Sequence, residues 1–339
     1  MMDKVIAVVL TYNRKELLQR CLEAIQAQTR PCDDIIVINN ASTDGTLEML
    51  NDGSFSDIKI YTLKENKGAA GGFNLGFRVA YDNGADHVWM MDDDVIPEPT
   101  ALEALLEADA LLEEKRTPRS YLVSMAYSEA GRLTNLPYLS EWHKNHWPQY
   151  LEHGLVAVGY STFVSILVPR RILETYGLPI AEMFIWGEDA EFTLRITREA
   201  PGYLVGDSKV AHVRAGTGGI SILPETNPAR IAYYSHFIRN NIFLARKYKT
   251  RRRLGSVLCS NLMLVLKLLL RKEPGKARVV LKGMRQSLYF SPRAESVHAD
   301  YDDSCIELTI TAPHEGRSAT PSHDNDDRKL VLVSHSSSS

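Results

Sequence analysis

Apolar residues along this chain fall in short unbroken runs separated by segments of helical periodicity, the pattern of buried strands alternating with amphipathic helices. Val5 to Leu10 is the first such run, rich in β-branched residues, and it stops at Thr11-Tyr12-Asn13-Arg14. Leu17, Leu18, Cys21, Leu22 and Ile25 then recur at helical spacing, with Asn13 placed to cap the helix. Ile35-Ile36-Val37-Ile38 is a second strand, followed by the polar loop Asn39-Asn40-Ala41-Ser42-Thr43-Asp44-Gly45 and a short helix around Leu47 to Leu50. Residues 58 to 63 predict a third strand. The small-residue stretch from Asn66 to Phe77 lets backbone pack closely against a ligand or a neighbouring helix. One helix later, Val88-Trp89-Met90-Met91 forms a strand that ends in Asp92-Asp93-Asp94. This alternation predicts an α/β fold with a mainly parallel central sheet flanked by helices. The loops at 11–14, 39–45 and 92–94 then leave strand carboxyl ends on one edge, where open α/β sheets bind ligands.

The second half is less regular. Residues 135 to 153 collect Tyr138, Trp142, His143, His146, Trp147, Tyr150 and His153, a ring-rich loop that either holds a sugar or lipid-linked acceptor or simply packs on the domain. Phe184-Ile185-Trp186-Gly187-Glu188-Asp189-Ala190-Glu191-Phe192 leads into a helix, and Lys209-Val210-Ala211-His212-Val213 ends a strand in a histidine. From Arg246 to Arg253 basic residues dominate, Leu254 to Leu270 is largely apolar with Lys267 inside it, and Arg271 to Arg285 is basic again. Such flanks suit a helix lying on an anionic membrane, with a buried helical hairpin as the alternative. From Ser291 to Ser339 the polar composition predicts a disordered tail, in which Ile306 to Ile310 and Leu330 to Val333 can pair locally.

Composition narrows the function classes. With 339 residues and 44% hydrophobic content the chain can bury a full core, and a net charge of −3 gives no global field for nucleic acid. The four cysteines have no CxxC spacing, which suits a reducing compartment without a structural zinc site. The N-terminal residues before Val5 are too few for a signal peptide, so a cytoplasmic protein is expected.

Three adjacent carboxylates repel one another. A divalent cation that prefers oxygen ligands and bridges to phosphate is one counter-charge; a solvated acidic loop is the plainer reading. Near Trp186, a carboxylate against apolar residues has its proton affinity raised toward that of a general base, although acids are also favoured at a helix N-terminus by its dipole. A strand-end histidine such as His212 can be a ligand or a satisfied hydrogen-bonding group.

Taken in order, Val8-Val9-Leu10-Thr11-Tyr12-Asn13-Arg14, Asn39 to Thr46, Asn66-Lys67-Gly68, Met91-Asp92-Asp93-Asp94 and Trp186-Gly187-Glu188-Asp189 resemble the inverting glycosyltransferases of family 2, which have a GT-A (nucleotide-diphospho-sugar transferase) fold. The stretches from Lys67 to Phe73 and Trp89 to Asp94 look most like bacterial galactofuranosyltransferases. The resemblance covers about residues 4 to 245 and implies a GT-A domain over 1–245, while the composition beyond it predicts a helical membrane-associating extension over 246–290 and a disordered tail over 291–339.

The resemblance implies that Thr11, Tyr12 and Asn13 line a nucleoside pocket supported by Asp44, with Lys67 also on the donor side. Asn39 stands where the family has an aspartate facing the base, and its amide oxygen can still accept from a uracil N3–H. Asp92 and Asp93 match ribose and donor contacts, while Asp94, Asp92 and His212 match ligands of a Mn²⁺ or Mg²⁺ ion. Asp189 matches the catalytic base, Trp186 a sugar platform, and Glu188 and Glu191 the acceptor side, where the ring-rich loop would add Trp142 and His143. Arg239 and Asn240 match an RN pair without an assigned role.

The function so implied is metal-dependent transfer of a sugar, with UDP-galactofuranose as the favoured donor, to a glycan or polyprenyl-diphosphate-linked acceptor in cell-surface polysaccharide biosynthesis. It places the protein peripherally on the inner face of the plasma membrane. Transfer from dTDP-rhamnose and a non-catalytic sugar-nucleotide-binding protein are the alternatives. Nucleotidyl transfer would call for a glycine-rich basic loop where Leu10-Thr11-Tyr12-Asn13-Arg14 stands.

Overall fold

In a computed structural model that describes residues 3–139, 145, 147–213 and 220–311, the strands join one mixed sheet. In chain order the elements are β1 (Val5–Thr11), α1 (Lys15–Gln26), β2 (Asp34–Asn39), α2 (Thr46–Leu50), β3 (Ile58–Leu63), α3 (Gly68–Asp82), β4 (His87–Asp92), β5 (Val95–Pro97) and α4 (Ala101–Glu114). There follow β6 (Leu122–Tyr127), β7 (Leu133–Thr134), β8 (Tyr138–Leu139), β9 (Leu155–Tyr160), β10 (Ile166–Pro169), α5 (Arg170–Tyr176), α6 (Glu188–Ile196) and β11 (Gly202–His212). The chain continues through α7 (Pro228–Tyr248), α8 (Arg251–Leu270), α9 (Pro274–Ser287) and β12 (Ile306–Ile310).

The sheet runs β12-β3-β2-β1-β4-β10-β6-β11-β9-β8. The expected parallel pairing holds across β3, β2, β1 and β4. Beyond β4 the sheet departs from that expectation: β10 is antiparallel to both β4 and β6, and only β6 and β11 pair in parallel. β4 and β6, joined in sequence through α4, run the same way without being neighbours, and β10 fills the gap between them in the opposite direction.

Alternation along β1 decides which layer each residue serves. Val5, Ala7 and Val9 pack with Leu18, Leu22 and Ile25 of α1 and with α4, whereas Ile6, Val8 and Leu10 pack with Phe73 and Phe77 of α3. The small-residue stretch serves this second layer. At Gly76 a Cβ would lie 2.9 Å from both Met90 and Val8, so glycine lets α3 lie directly on the sheet.

The basic and apolar segment forms α7, α8 and α9, whose shared core includes Ile238, Ile242, Val265, Leu268 and Val280. α8 is long and apolar enough to cross a membrane by length and composition. Leu262, Met263, Leu266, Leu269 and Leu270 stay exposed along it, so the helix both packs on its neighbours and presents an apolar face.

Residues 291–311, expected to begin a disordered tail, are ordered. Arg78 of α3, 2% exposed, donates to the carbonyls of Val297 and Ala299 and pairs with Glu295 at 2.8 Å. Val297 enters the core under α3, and β12 adds antiparallel to the edge of β3. Polar composition hid this because a few buried anchors and edge-strand pairing suffice to order it. The expected Leu330 to Val333 pairing lies outside the described residues.

Candidate active site

β1 and β4 end side by side, Leu10 opposite Asp92, so the Thr11 loop and the acid triplet share one sheet edge. Thr11 Oγ1 donates to Asp93 Oδ2 at 2.8 Å, and Arg14 reaches Asp93 Oδ1 at 3.1 Å and Asp94 Oδ2 at 2.7 Å. After the triplet, β5 pairs antiparallel with the end of β11, placing His212 opposite Val95. The Val213 amide closes the junction by donating to the Asp94 carbonyl at 2.8 Å. Strand pairing thus brings His212 Nε2 to 3.2 Å from Asp94 Oδ1, a buried oxygen without a hydrogen-bond partner among the described residues.

Burial pushes Asp92 well above the usual carboxylate range, with Asp94 and Asp93 adding repulsion, and it raises Asp93 to about 6 against the pull of Arg14. Burial also acts to raise Asp94, but His212 and Arg14 outweigh it and hold that carboxyl low. The His212 Nδ1 sits 2.9 Å from Asn135 Oδ1, leaving Nε2 toward the acid.

The opposite wall is the turn entering α6. Phe184 and Trp186 have left-handed backbone (φ 64° and 59°), as does Gly187 (φ 110°), and Glu188 and Asp189 open the helix. Burial raises Asp189 to about 6 and pushes Glu188, whose Oε2 is buried without a partner among the described residues, well above its usual range. Both the apolar-wall and the helix-terminus expectations hold here, because Asp189 Oδ1 also accepts from the Ala190 amide at 2.6 Å. The two walls enclose a cleft of about 1440 Å³ lined by Thr11, Tyr12, Asp92, Asp93, Asp94, Trp186, Glu188, Asp189 and His212.

Other expected residues sit behind the cleft. Asn13 caps no helix: its Oδ1 accepts from the Thr43 amide at 2.7 Å, while Asp44 accepts from the Lys15 amide at the start of α1. Asn39 is buried, with its Oδ1 taking the Ser42 amide at 3.0 Å. Lys67 is salt-bridged to Glu65 and does not line the cleft. Glu191, expected on the acceptor side, faces the interior instead. It is fully buried and pairs with Arg195 and Lys247 and accepts from Tyr248, which ties α6 to α7 and leaves no route to an acceptor. Trp142 and His143 lie outside the described residues.

Three further residues shape the site. Arg14 closes the Thr11 motif, and its charge meets the acids only through the pairing of β1 with β4. Asn40 joins the two halves of the cleft floor, accepting from the Lys67 amide and donating to the Gly68 carbonyl. Asn135 carried no local signal, since its partner is 77 positions away.

Residues 6–115 match the model of glycosyl transferase family 2. This segment is a family 2 glycosyltransferase domain. Galactofuranosyltransferase GlfT1 of Mycobacterium tuberculosis H37Rv is 31% identical over 205 residues, covering 58% of this chain and 66% of that protein. GlfT1 of Mycolicibacterium smegmatis is 38% identical over 105 residues, 31% of this chain and 34% of its own length. The chain therefore spans 66% or less of these curated relatives. Among solved structures, GalNAc-T7 with UDP, GalNAc and Mn²⁺ matches with a TM-score of 0.52 at 15% identity, over 76% of this chain and 54% of that one. Staphylococcus aureus TarS 1-349 in complex with UDP matches at 0.50 and 17% identity, over 93% and 98%. These neighbours support the GT-A glycosyltransferase fold of the family 2 domain.

The donor set suits a divalent cation in part. Asp94 and His212 converge, and Asp94 Oδ1 is buried with only the His212 ring facing it among the described residues. Asp92 does not join them: among the described residues no three His, Cys, Asp or Glu side chains group closely enough to enclose a metal. Mg²⁺ and Mn²⁺ sites commonly use one or two protein ligands and complete their shell with phosphate oxygens and water, so two suffice.

Proposed function

We propose that this chain is an inverting glycosyltransferase that moves a sugar, with UDP-galactofuranose as the favoured donor, onto a hydroxyl of a glycan or polyprenyl-diphosphate-linked acceptor. The observation that carries the reading is one cleft with Asp189 on one wall and the Asp92 to Asp94 triplet on the other. Similarity to GlfT1 favours the galactofuranose donor.

In this mechanism Thr11 and Tyr12 hold the nucleoside, and Trp186 packs against the donor sugar. Tyr12 is half exposed at the cleft rim, available for stacking. The Asp189 carboxylate takes the proton of the acceptor hydroxyl as that oxygen forms its bond to the anomeric carbon. The bond from that carbon to the diphosphate oxygen breaks in the same displacement, and the nucleoside diphosphate departs with the bonding electrons. A divalent cation held by Asp94 and His212 would offset the charge of that leaving group. Arg14, beside the triplet, adds a fixed positive charge on the same side.

The apolar face of α8 and the basic residues around it support docking on the cytoplasmic face of an anionic membrane, where a lipid-linked acceptor would be found. The test is nucleoside diphosphate release with Mn²⁺ or Mg²⁺, a donor panel of UDP-galactofuranose, UDP-galactopyranose, UDP-glucose and dTDP-rhamnose, and a lipid-linked acceptor mixture. Metal-dependent release with UDP-galactofuranose that Asp189→Asn abolishes is expected. Release with only another donor overturns the galactofuranose assignment, and release that survives Asp189→Asn overturns the role of that carboxylate.

A further inference from the structure

The turn that carries Asp189 is held by two adjacent residues of α7 that lie outside the cleft chemistry. Asn240, 0% exposed, donates from its carboxamide nitrogen to the carbonyls of Met183 at 2.9 Å, Ile185 at 3.2 Å and Trp186 at 2.9 Å. Arg239 donates to the carbonyls of Glu182 at 2.9 Å and Met183 at 3.0 Å, and its Nε donates to Asn240 Oδ1 at 3.0 Å. This last contact fixes the amide. A guanidinium has only donors, so the Asn240 oxygen must face Arg239 and its NH₂ must face the turn. The Arg239 guanidinium is completed by the Phe290 ring, 3.8 Å from its central carbon.

What these bonds hold is not a regular element. Left-handed backbone at Phe184 and Trp186 persists only where surrounding contacts over-determine it, and it leaves carbonyls without helix or strand partners. The same turn grips the start of α3: the Ala70 amide donates to the Phe184 carbonyl at 3.0 Å, and a Cβ at Gly68 would fall 2.1 Å from that oxygen. Releasing the turn would therefore loosen the Asp189 wall, whereas α3 keeps its close packing on the sheet at Gly76.

From this arrangement we infer that Arg239 and Asn240 are positioning residues, which hold the 182–187 turn so that Asp189 faces the reacting centre. The inference rests on the glycosyltransferase reading for its kinetic part alone. An ångström-scale misplacement of a reacting group can cost about 100-fold in rate.

Asn240→Asp keeps shape and removes the N–H groups that residue 240 donates to the turn. Beside it, Arg239→Lys keeps the charge and loses the fork. Both are expected to lower kcat about 10–100-fold, with UDP affinity by calorimetry changed less than about threefold because the nucleoside pocket lies on the β1 side. Hydrogen exchange should quicken at the amides of Ile185 to Asp189 and stay unchanged in α1. Unchanged kcat and unchanged exchange in the folded variants overturn the inference, as does a rate loss shared equally with UDP affinity and melting temperature. If the parent protein turns over none of the donors, the exchange pattern still decides the positioning role, and the failure then belongs to the proposed function alone.

Discussion

His212 Nε2 and Asp94 Oδ1 lie 3.2 Å apart although 118 positions separate them in sequence, and the pairing of β5 with β11 is what joins them. If this pair anchors the cation, His212→Ala and Asp94→Asn should each weaken Mn²⁺ binding in the presence of UDP by about 10–100-fold, as ligand losses do. Calorimetry checks this without turnover. Unchanged Mn²⁺ affinity in both variants would remove the pair from the metal site.

The pH dependence of transfer follows from Asp189. Burial raises its carboxyl to about 6, and the base must be ionised, so kcat/KM should fall about tenfold per unit below that pH. The stability sign is opposite. A raised acid favours the folded state below its unfolded value near ~4 and loses that contribution as pH climbs through 6. Asp189→Asn should therefore melt higher than the parent at pH 8 and level with it at pH 4. A parent with a flat rate between pH 5 and 8 would contradict the assignment.

Glu191 is a structural anion. Its folded carboxyl is held low: burial opposes ionisation, but Arg195 and Lys247 outweigh it. Glu191→Ala leaves those cations unpaired and should cost about 3 kcal/mol of stability. Denaturant melts report that loss, and acceptor KM in the surviving folded fraction should stay within about twofold.

Deleting residues 291–339 should be harmful rather than neutral. It strips Arg78 of Glu295 and of two carbonyls and uncovers the edge of β3. A loss of about 3–5 kcal/mol is expected from the stranded guanidinium. Val297→Asp should reproduce much of it, and a truncated protein melting with the parent would refute the packing.

Two forces are expected at the membrane surface. Sedimentation with vesicles containing anionic lipid should fall steeply between about 0.1 and 0.5 M salt, because basic residues flank α8. Leu266→Asp should weaken binding at every salt concentration by removing apolar insertion, since Leu266 is 61% exposed. Binding that ignores both salt and Leu266→Asp would remove this surface from membrane docking.

The sequence by itself determined the elements and the sheet edge at which the site forms. Strand periodicity from Val5 to Thr11 and from His87 to Asp92, with polar motifs at each end, is local information, and parallel pairing then puts Thr11 and the triplet together. The glycine at 68 and the acids at 188 and 189 were legible for the same reason, since each belongs to a short contiguous motif. Tertiary structure alone decided which partners close the site. The mixed pairing beyond β4 brought His212 to Asp94, Asn135 oriented that histidine from a distant loop, and a buried carboxamide at 240 fixed the turn that bears Asp189. It also turned Glu191 inward, because one face of α6 met Lys247 and Tyr248 of α7, and it ordered residues 291–311 against an open strand edge. Contacts of that kind depend on where the chain returns, and residue spacing along the chain carries no record of the return.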